Sequence, residues 1–328
     1  MKNVYSYDPQ LYVVTGAHKV LMDIHNAIKE TFNAKVLGTL NYSELHPDLH
    51  IKQEEYQKIG SIFSLHDSIL IVHQRRIAIK YRLLSCIPFL NLKVIYVHHN
   101  ILEGNRLLTF FPKNIITISD RCIKNLTRYF GVKAEHITKI HNAVRDIRKE
   151  EHKRPSGDTI KILYPATIYP VKRQLQVVKY LSSCLSDGIE ILFAGVGEDY
   201  EELKIITKND KRFNCLGFVK NIPELMANVD YCMLFSEKEG LPITLIEATM
   251  MGVPIICNDV GGNLEIAKDG YNAFVCNNWE DLAERLNSLE SVSEEEYNQL
   301  SKNSRIQYER YFDYEIFKSK YIDYISGV

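Results

Sequence analysis

Nowhere does this chain of 328 residues carry an apolar run approaching the ~18 residues that a membrane-spanning helix needs. Its start, MKNVYSYDPQ, lacks the apolar stretch of a secretory signal. Seven cysteines, an odd number without any C-x-x-C spacing, exclude a zinc ribbon and argue against a disulfide framework. The expectation is a cytoplasmic protein whose cysteines are small buried residues in a reducing compartment. The dinucleotide fingerprint G-x-G-x-x-G is missing as well. Gly195-Val196-Gly197 is incomplete because position 200 is Tyr, and no such motif follows the first strand, so an NAD enzyme is set aside.

Net charge is nearly absent too, at −1, but it hides a division. Residues 1–155 hold 23 Lys/Arg against 14 Asp/Glu, and residues 156–328 hold 17 against 27. Opposed halves suggest two domains with different partners, the basic one facing something anionic.

What is present is strand–helix alternation. KNVYSY (2–7), AKVLGTL (34–40), SILIVH (68–73), KVIYVHH (93–99) and NIITIS (114–119) read as buried strands. IKILYPAT (160–167), IEILFAG (189–195), FNCLGF (213–218), YCMLF (231–235), VPIICND (253–259) and AFVC (273–276) continue the pattern. Helix-length segments lie between them, which predicts an α/β chain with two parallel, doubly wound sheets. The charged stretch RDIRKEEHKRPSGD (145–158) has no apolar periodicity and reads as a linker. We therefore expect domains at 1–152 and 153–305, with a C-terminal helix at 306–328 completing the first.

The most informative segment is SEKEGLPITLIEATMMGVPIICNDVGG (236–262). A strand runs into an acidic loop, Pro242 stands where a helix would begin, and Gly252 closes that helix. Glu247 lies in a helix with apolar neighbours, and a buried carboxylate is costly without partners, so it should accept hydrogen bonds, for instance from ligand hydroxyls. Glu239, eight positions earlier, falls at the C-terminal edge of the sheet, where doubly wound folds bind ligands. Gly16, between the first strand and first helix, would let backbone approach a ligand at a helix N-terminus.

EGLPITLIEA resembles the E-x7-E motif of the retaining nucleotide-sugar glycosyltransferases of family 4. VGGNLEIAKDGYNAFV (260–275), LGFVKNIPELMANVDYCMLFS (216–236), YPATIYPVKRQ (164–174), ITISDRCIKNL (116–126) and IHNAV (140–144) resemble further segments of that family, in its order. The resemblance implies a GT-B fold: two Rossmann-like domains facing each other across a cleft. It implies that Glu239 contacts the donor sugar's hydroxyls, Glu247 the ribose, and Lys172 with Arg173 the diphosphate. Val219 would meet the nucleobase through its main chain. The backbone of Gly240, Leu241, Pro242, Gly261, Gly262 and Asn263 would approach the donor, and His99, in preference to His98, would lie near its sugar. Catalysis would then involve Glu239, His99 and Lys172. Departures are visible. Ala166-Thr167 replaces the family's Gly-Arg, leaving Arg173 as a substitute cation, and Val14-Thr15-Gly16-Ala17 keeps one of two usual glycines.

Transfer from such a donor puts oxocarbenium character on the sugar and negative charge on the leaving diphosphate, which aimed cations and N–H groups stabilise. No Asp-x-Asp occurs, so neither metal nor other cofactor is expected; His46 and His50, separated by Pro47, read as loop residues. HQRRIAIKYRLLSCIPFLNLK (73–93) has five Arg/Lys and no acid, which suits an anionic membrane surface or a polyprenyl-diphosphate acceptor. The function expected is sugar transfer to a cell-surface polysaccharide or glycolipid precursor. A GT-B epimerase or phosphorylase, or a non-catalytic nucleotide-sugar-binding subunit, is the alternative.

Overall fold

The computed structural model describes residues 2–328. They form two compact units, one running up to Asn142 and including Tyr314–Val328, the other spanning Ala143–Asp313.

The first unit runs β1 (Asn3–Tyr7), α1 (Gly16–Ile28), β2 (Asn33–Gly38), β3 (Tyr56–Lys58), β4 (Ser68–Val72), α2 (Arg75–Leu84), β5 (Lys93–His98), β6 (Asn114–Thr117), α3 (Asp120–Lys124) and β7 (Ile137–Lys139). The sheet is parallel, in the order β3-β2-β1-β4-β5-β6-β7. Every residue of β4 is buried, as a central strand covered on both faces requires. On one face Tyr7, Leu70, Val72 and Tyr96 pack with Ala78 and Tyr81 of α2; on the other Leu21 and Met22 of α1 pack with Val36. Strand order reverses between β1 and β4, and Tyr7 stands opposite Val72, so Asp8 and His73 leave the sheet side by side. That crevice is where doubly wound sheets hold ligands.

The second unit runs β8 (Ile160–Pro165), α4 (Gln174–Leu181), β9 (Ile189–Ala194), α5 (Tyr200–Thr207), β10 (Phe213–Gly217), α6 (Ile222–Met226), β11 (Tyr231–Leu234), α7 (Ile243–Met251), β12 (Ile255–Cys257), α8 (Asn263–Ile266), β13 (Ala273–Val275), α9 (Trp279–Ser288) and α10 (Glu294–Tyr311). Its parallel sheet has the order β10-β9-β8-β11-β12-β13, reversing between β8 and β11. Gly252 ends α7 at φ 80°, the left-handed conformation that glycine adopts without a Cβ penalty. Arg305 of α10 donates to the Met250 carbonyl at 2.8 Å, placing a cation at the same helix end.

Three expectations need correction. The boundary lies at Asn142/Ala143, about ten residues earlier than the linker reading placed it. Two charges of residues 145–158 are pinned to the second unit: Asp146 pairs with Arg305, and Arg154 donates to the Val292 carbonyl at 2.9 Å. His152 meets the Tyr297 hydroxyl at 2.8 Å in the same unit. The Tyr-rich C-terminal stretch is two helices, because the chain breaks at Phe312-Asp313 between α10 and α11 (Tyr314–Gly327). Phe312 is fully buried in the second unit, whereas Tyr314 of α11 donates to the Asp23 carbonyl of α1 in the first. Finally, Cys86 and Cys184 are exposed, unlike the buried Cys122, Cys232, Cys257 and Cys276. With these boundaries the first unit holds 20 basic against 13 acidic residues and the second 20 against 28. The charge division is thus a property of the units themselves.

Candidate active site

In the second unit, the loops leaving β8 and β11 meet at the point of reversal. Tyr164, wholly buried near the end of β8, donates its hydroxyl proton to the Lys172 carbonyl and accepts from the Phe235 N–H at 3.0 Å. The Glu237 N–H donates to the Val171 carbonyl at 2.8 Å. These bonds bring Lys172 against Glu239, Nζ to Oε1 at 2.5 Å, with only 8% of Glu239 exposed. A carboxylate so buried requires compensation, and this ammonium supplies it. Glycines set the loop positions. A Cβ on Gly195 would stand 2.0 Å from the Ala166 carbonyl oxygen, and one on Gly197 2.3 Å from that of Ile168. The Gly-Val-Gly segment thus lets the β9 loop close against the chain leading to Lys172.

The loop after β12 packs behind Glu239. Gly261 has φ 57°, and a Cβ there would lie 2.1 Å from the Glu239 carbonyl oxygen. The Gly262 N–H donates to the Gly240 carbonyl at 2.7 Å. Asn263, whose backbone is expected to approach the donor, has a fully buried side chain that donates to the Asn258 carbonyl at 3.0 Å, and Asn258 donates to the Ser236 carbonyl at 2.7 Å. These residues position the acidic loop, with Gly262 and Asn263 spending their N–H groups inside the protein. Arg173 is the second cation that the resemblance brings to the diphosphate. It pairs with Glu237 at 3.3 Å and lies over the Trp279 ring at 5.8 Å, leaving Lys172 as the cation on Glu239. Leu241 and Pro242 are buried just before α7, where Glu247 is 9% exposed, and Val219 is half-buried in the loop after β10.

The first unit assembles a second polar cluster at its own point of reversal. Asp8 is 2% exposed and accepts from the Gln10 N–H at 2.8 Å and from Gln74 Nε2 at 3.0 and 3.2 Å. His18, on α1, brings Nε2 to 3.4 Å from Asp8 Oδ1. His73, leaving β4, shares a proton with His99, Nδ1 to Nε2 at 2.8 Å. His98 points into the core, with Nδ1 3.1 Å from the Tyr96 hydroxyl, so His99 alone of the two reaches the sheet edge. Gly16 opens α1 beside the cluster with no atom within 4 Å of where a Cβ would stand. His46 and His50 flank a short 3-10 turn at Pro47–Leu49.

Burial drives His73 well below the ordinary imidazole value, His98 to about 3 and His99 to about 4. All three are neutral at pH 7. The unfolded chain protonates such rings below about pH 6.5, while the folded chain resists. Stability therefore falls with decreasing pH from about 6.5, by about 1.4 kcal/mol per pH unit for each ring held neutral. Calorimetry from pH 7 to 5 should show the melting temperature dropping; a flat or rising trend would contradict the burial of neutral rings.

Comparison with known proteins bears on the enzyme class and the fold. Residues 145–307 match the family described as Glycosyl transferases group 1. The O-antigen biosynthesis glycosyltransferase WbnH of Escherichia coli is 24% identical over 302 residues, 84% of this chain and 87% of that protein. The chain is a glycosyltransferase. N-acetyl-alpha-D-glucosaminyl L-malate synthase of Bacillus anthracis is 26% identical over 186 residues, 52% of this chain but only about half, 49%, of that relative. Solved structures of HepE from Anabaena, in complex with UDP or with UDP-glucose, cover all of both chains at 18% identity with TM-scores of 0.83 and 0.81. The fold is GT-B: two Rossmann-like parallel-sheet units.

Within this glycosyltransferase, Glu239 and Lys172 are the pair that motif reading placed in one site. Tyr164, Asp8, His18, His73 and Gln74 were not singled out as site residues. For Asp8 and His73 the available signal was position, since each directly follows a buried apolar strand on one side of the strand reversal.

Proposed function

We propose that the chain is a retaining family 4 enzyme that moves a sugar from a nucleoside-diphosphate sugar to a hydroxyl of a cell-surface polysaccharide or glycolipid precursor. The observation that carries this reading is the Lys172–Glu239 pair at the point of reversal of the second sheet. The donor separates the two charges: its diphosphate takes Lys172 and its sugar hydroxyls take Glu239. Glu247 receives the ribose, Val219 the base, and Gly240 with Leu241 lines the sugar. The breaking anomeric bond leaves its electrons on the diphosphate, where Lys172 stabilises the growing charge without a metal, and Arg173 joins it by releasing the exposed Glu237. The nucleotide-bound state of the structurally similar HepE and the O-antigen role in WbnH's name support the donor and acceptor classes.

The basic first unit takes the acceptor at the inner face of the cell membrane. On and after α2, Arg76, Lys80, Leu83 and Phe89 are exposed, a mixture of cations and apolar side chains that suits an anionic surface. Arg75 is instead held by the carbonyls of Glu103 and Gly104.

One assay tests the reading: UDP-, GDP- and dTDP-sugars are incubated with the enzyme and lipid-linked acceptor in anionic liposomes, and the product is examined by NMR. The expected product keeps the donor's anomeric configuration, is unaffected by EDTA, and forms more slowly as salt rises. An inverted product removes the retaining assignment. An isomerised donor or a sugar 1-phosphate without glycosylated acceptor favours the epimerase or phosphorylase reading.

A further inference from the structure

We propose that the loop between β5 and β6 docks the first unit on an anionic phospholipid bilayer, with its tip, Leu107-Leu108-Thr109-Phe110, entering the interface. This deepens the reading above by naming the element that meets the membrane. Leu107 is 87% exposed, Leu108 72% and Phe110 62%. Single apolar side chains in water are ordinary, but three within four residues make a patch that calls for a partner.

The loop is held in this state from both ends. Asn125 exchanges two hydrogen bonds with Leu102, donating to its carbonyl and accepting from its N–H, each at 2.9 Å. The Gly104 N–H donates to the Tyr129 hydroxyl at 2.9 Å, and Arg75 donates to the carbonyls of Glu103 and Gly104. Gly104 and Asn105 are both left-handed, at φ 73° and 52°, so the chain turns sharply before the tip. The Thr109 hydroxyl donates to the Asn105 carbonyl at 2.8 Å, closing the turn that carries both leucines. Beyond the tip, Phe111 stacks on Tyr96 with ring centres 5.4 Å apart and meets Phe130 edge-on at 5.2 Å. Pro112 is buried. The loop's anchors are therefore packed on the unit, while its three tip side chains stand in water.

Helix α2 continues this surface. Phe110 and the exposed Leu83 line one cavity of about 410 Å³, together with Phe111, Val132, Arg82 and Lys133. Arg106 and Lys113 are exposed on either side of the tip. Over residues 75–136, eleven Lys/Arg stand against three acids, Glu103, Asp120 and Glu135. Asp120 is paired with Lys139 at 2.6 Å. An apolar tip set among cations matches the interface of an anionic bilayer, where hydrocarbon takes the leucines and phenylalanine and phosphates take the cations. A second copy of the chain fits this face less well, since a symmetric pair sets it against itself and brings its excess cations together. The two contributions are separable. The cations act at a distance and are screened by salt, whereas the leucines act only on contact.

Sedimentation of the full-length protein with phosphatidylglycerol–phosphatidylcholine vesicles, free of polyprenyl lipid, tests this. Leu107→Ser with Leu108→Ser should weaken binding about 30-fold at low and high salt alike. Arg106→Gln with Lys113→Gln should weaken it about 20-fold at low salt and far less at high salt. Melting temperature and calorimetric nucleotide affinity should match wild type in both variants, because these side chains are exposed. Leu107→Trp should show emission quenched by brominated phospholipid beyond any quenching of the wild-type protein, whose one tryptophan is Trp279. Wild-type binding by the leucine variant, no added quenching in Leu107→Trp, or binding that needs added polyprenyl phosphate overturns the docking loop. A wild-type dimer that the leucine variant converts to a monomer also overturns it, giving the tip to a second copy. Nucleotide binding without vesicle binding overturns docking alone. Vesicle binding by a protein that binds none of UDP, GDP and dTDP overturns the transferase reading alone.

Discussion

Glu239→Gln lowers kcat/KM for sugar transfer by about 10³-fold, roughly 4 kcal/mol, with little change in melting temperature. Glutamine keeps the side chain's volume and can still bond to Lys172, so the loop after β11 stays where Glu237, Tyr164 and Gly261 hold it. The charge is lost, and with it the strong acceptance of sugar hydroxyls and the stabilisation of a cationic sugar in the transition state. An exposure of only 8% makes that charge effective, because little water is left to screen it. Transfer at the wild-type rate by this variant would remove Glu239 from the site.

The second large effect is at Lys172. Lys172→Ala should lower kcat about 10²-fold and weaken donor binding about tenfold, since a cation placed for the leaving diphosphate is lost. It should also destabilise the second unit by about 3 kcal/mol, because Glu239 is left buried without its ion partner. The two effects separate in a double variant. With Glu239 already replaced by Gln, Lys172→Ala no longer strands a charge, so its stability cost should fall to about 1 kcal/mol while its catalytic cost persists. Melting curves and steady-state kinetics on the four proteins check both statements. Equal stability costs in the two backgrounds would mean that the ion pair is not the compensation inferred for Glu239.

The legible parts of this chain were those whose signal is local. The long β-branched strands, the proline before α7 and the glycine after it carry their own instructions, and Glu239 is readable because it sits at a fixed spacing from Glu247. The short edge strands Tyr56–Lys58 and Ile137–Lys139 were not foreseen, since three mixed residues show no period. The unit boundary was misplaced because a charged run reads as linker unless its partners are known, and Arg305 lies 159 positions from Asp146. Long-range pairing also hid the first unit's cluster. Gln74 reaches Asp8 across 66 residues and His99 reaches His73 across 26, so the same HQRR that read as part of a basic surface supplies a buried imidazole and a half-buried amide.

The central claim is that the second unit holds a nucleoside-diphosphate sugar on Lys172. It is tested most directly by thermal denaturation of the wild-type and Lys172→Ala full-length proteins against UDP-, GDP- and dTDP-sugars. One nucleotide class should raise the wild-type melting temperature by about 5 °C at a hundredfold excess over its Kd, with at most a small shift in the variant at the same concentration. No shift with any donor, or the same shift in both proteins, would contradict the account.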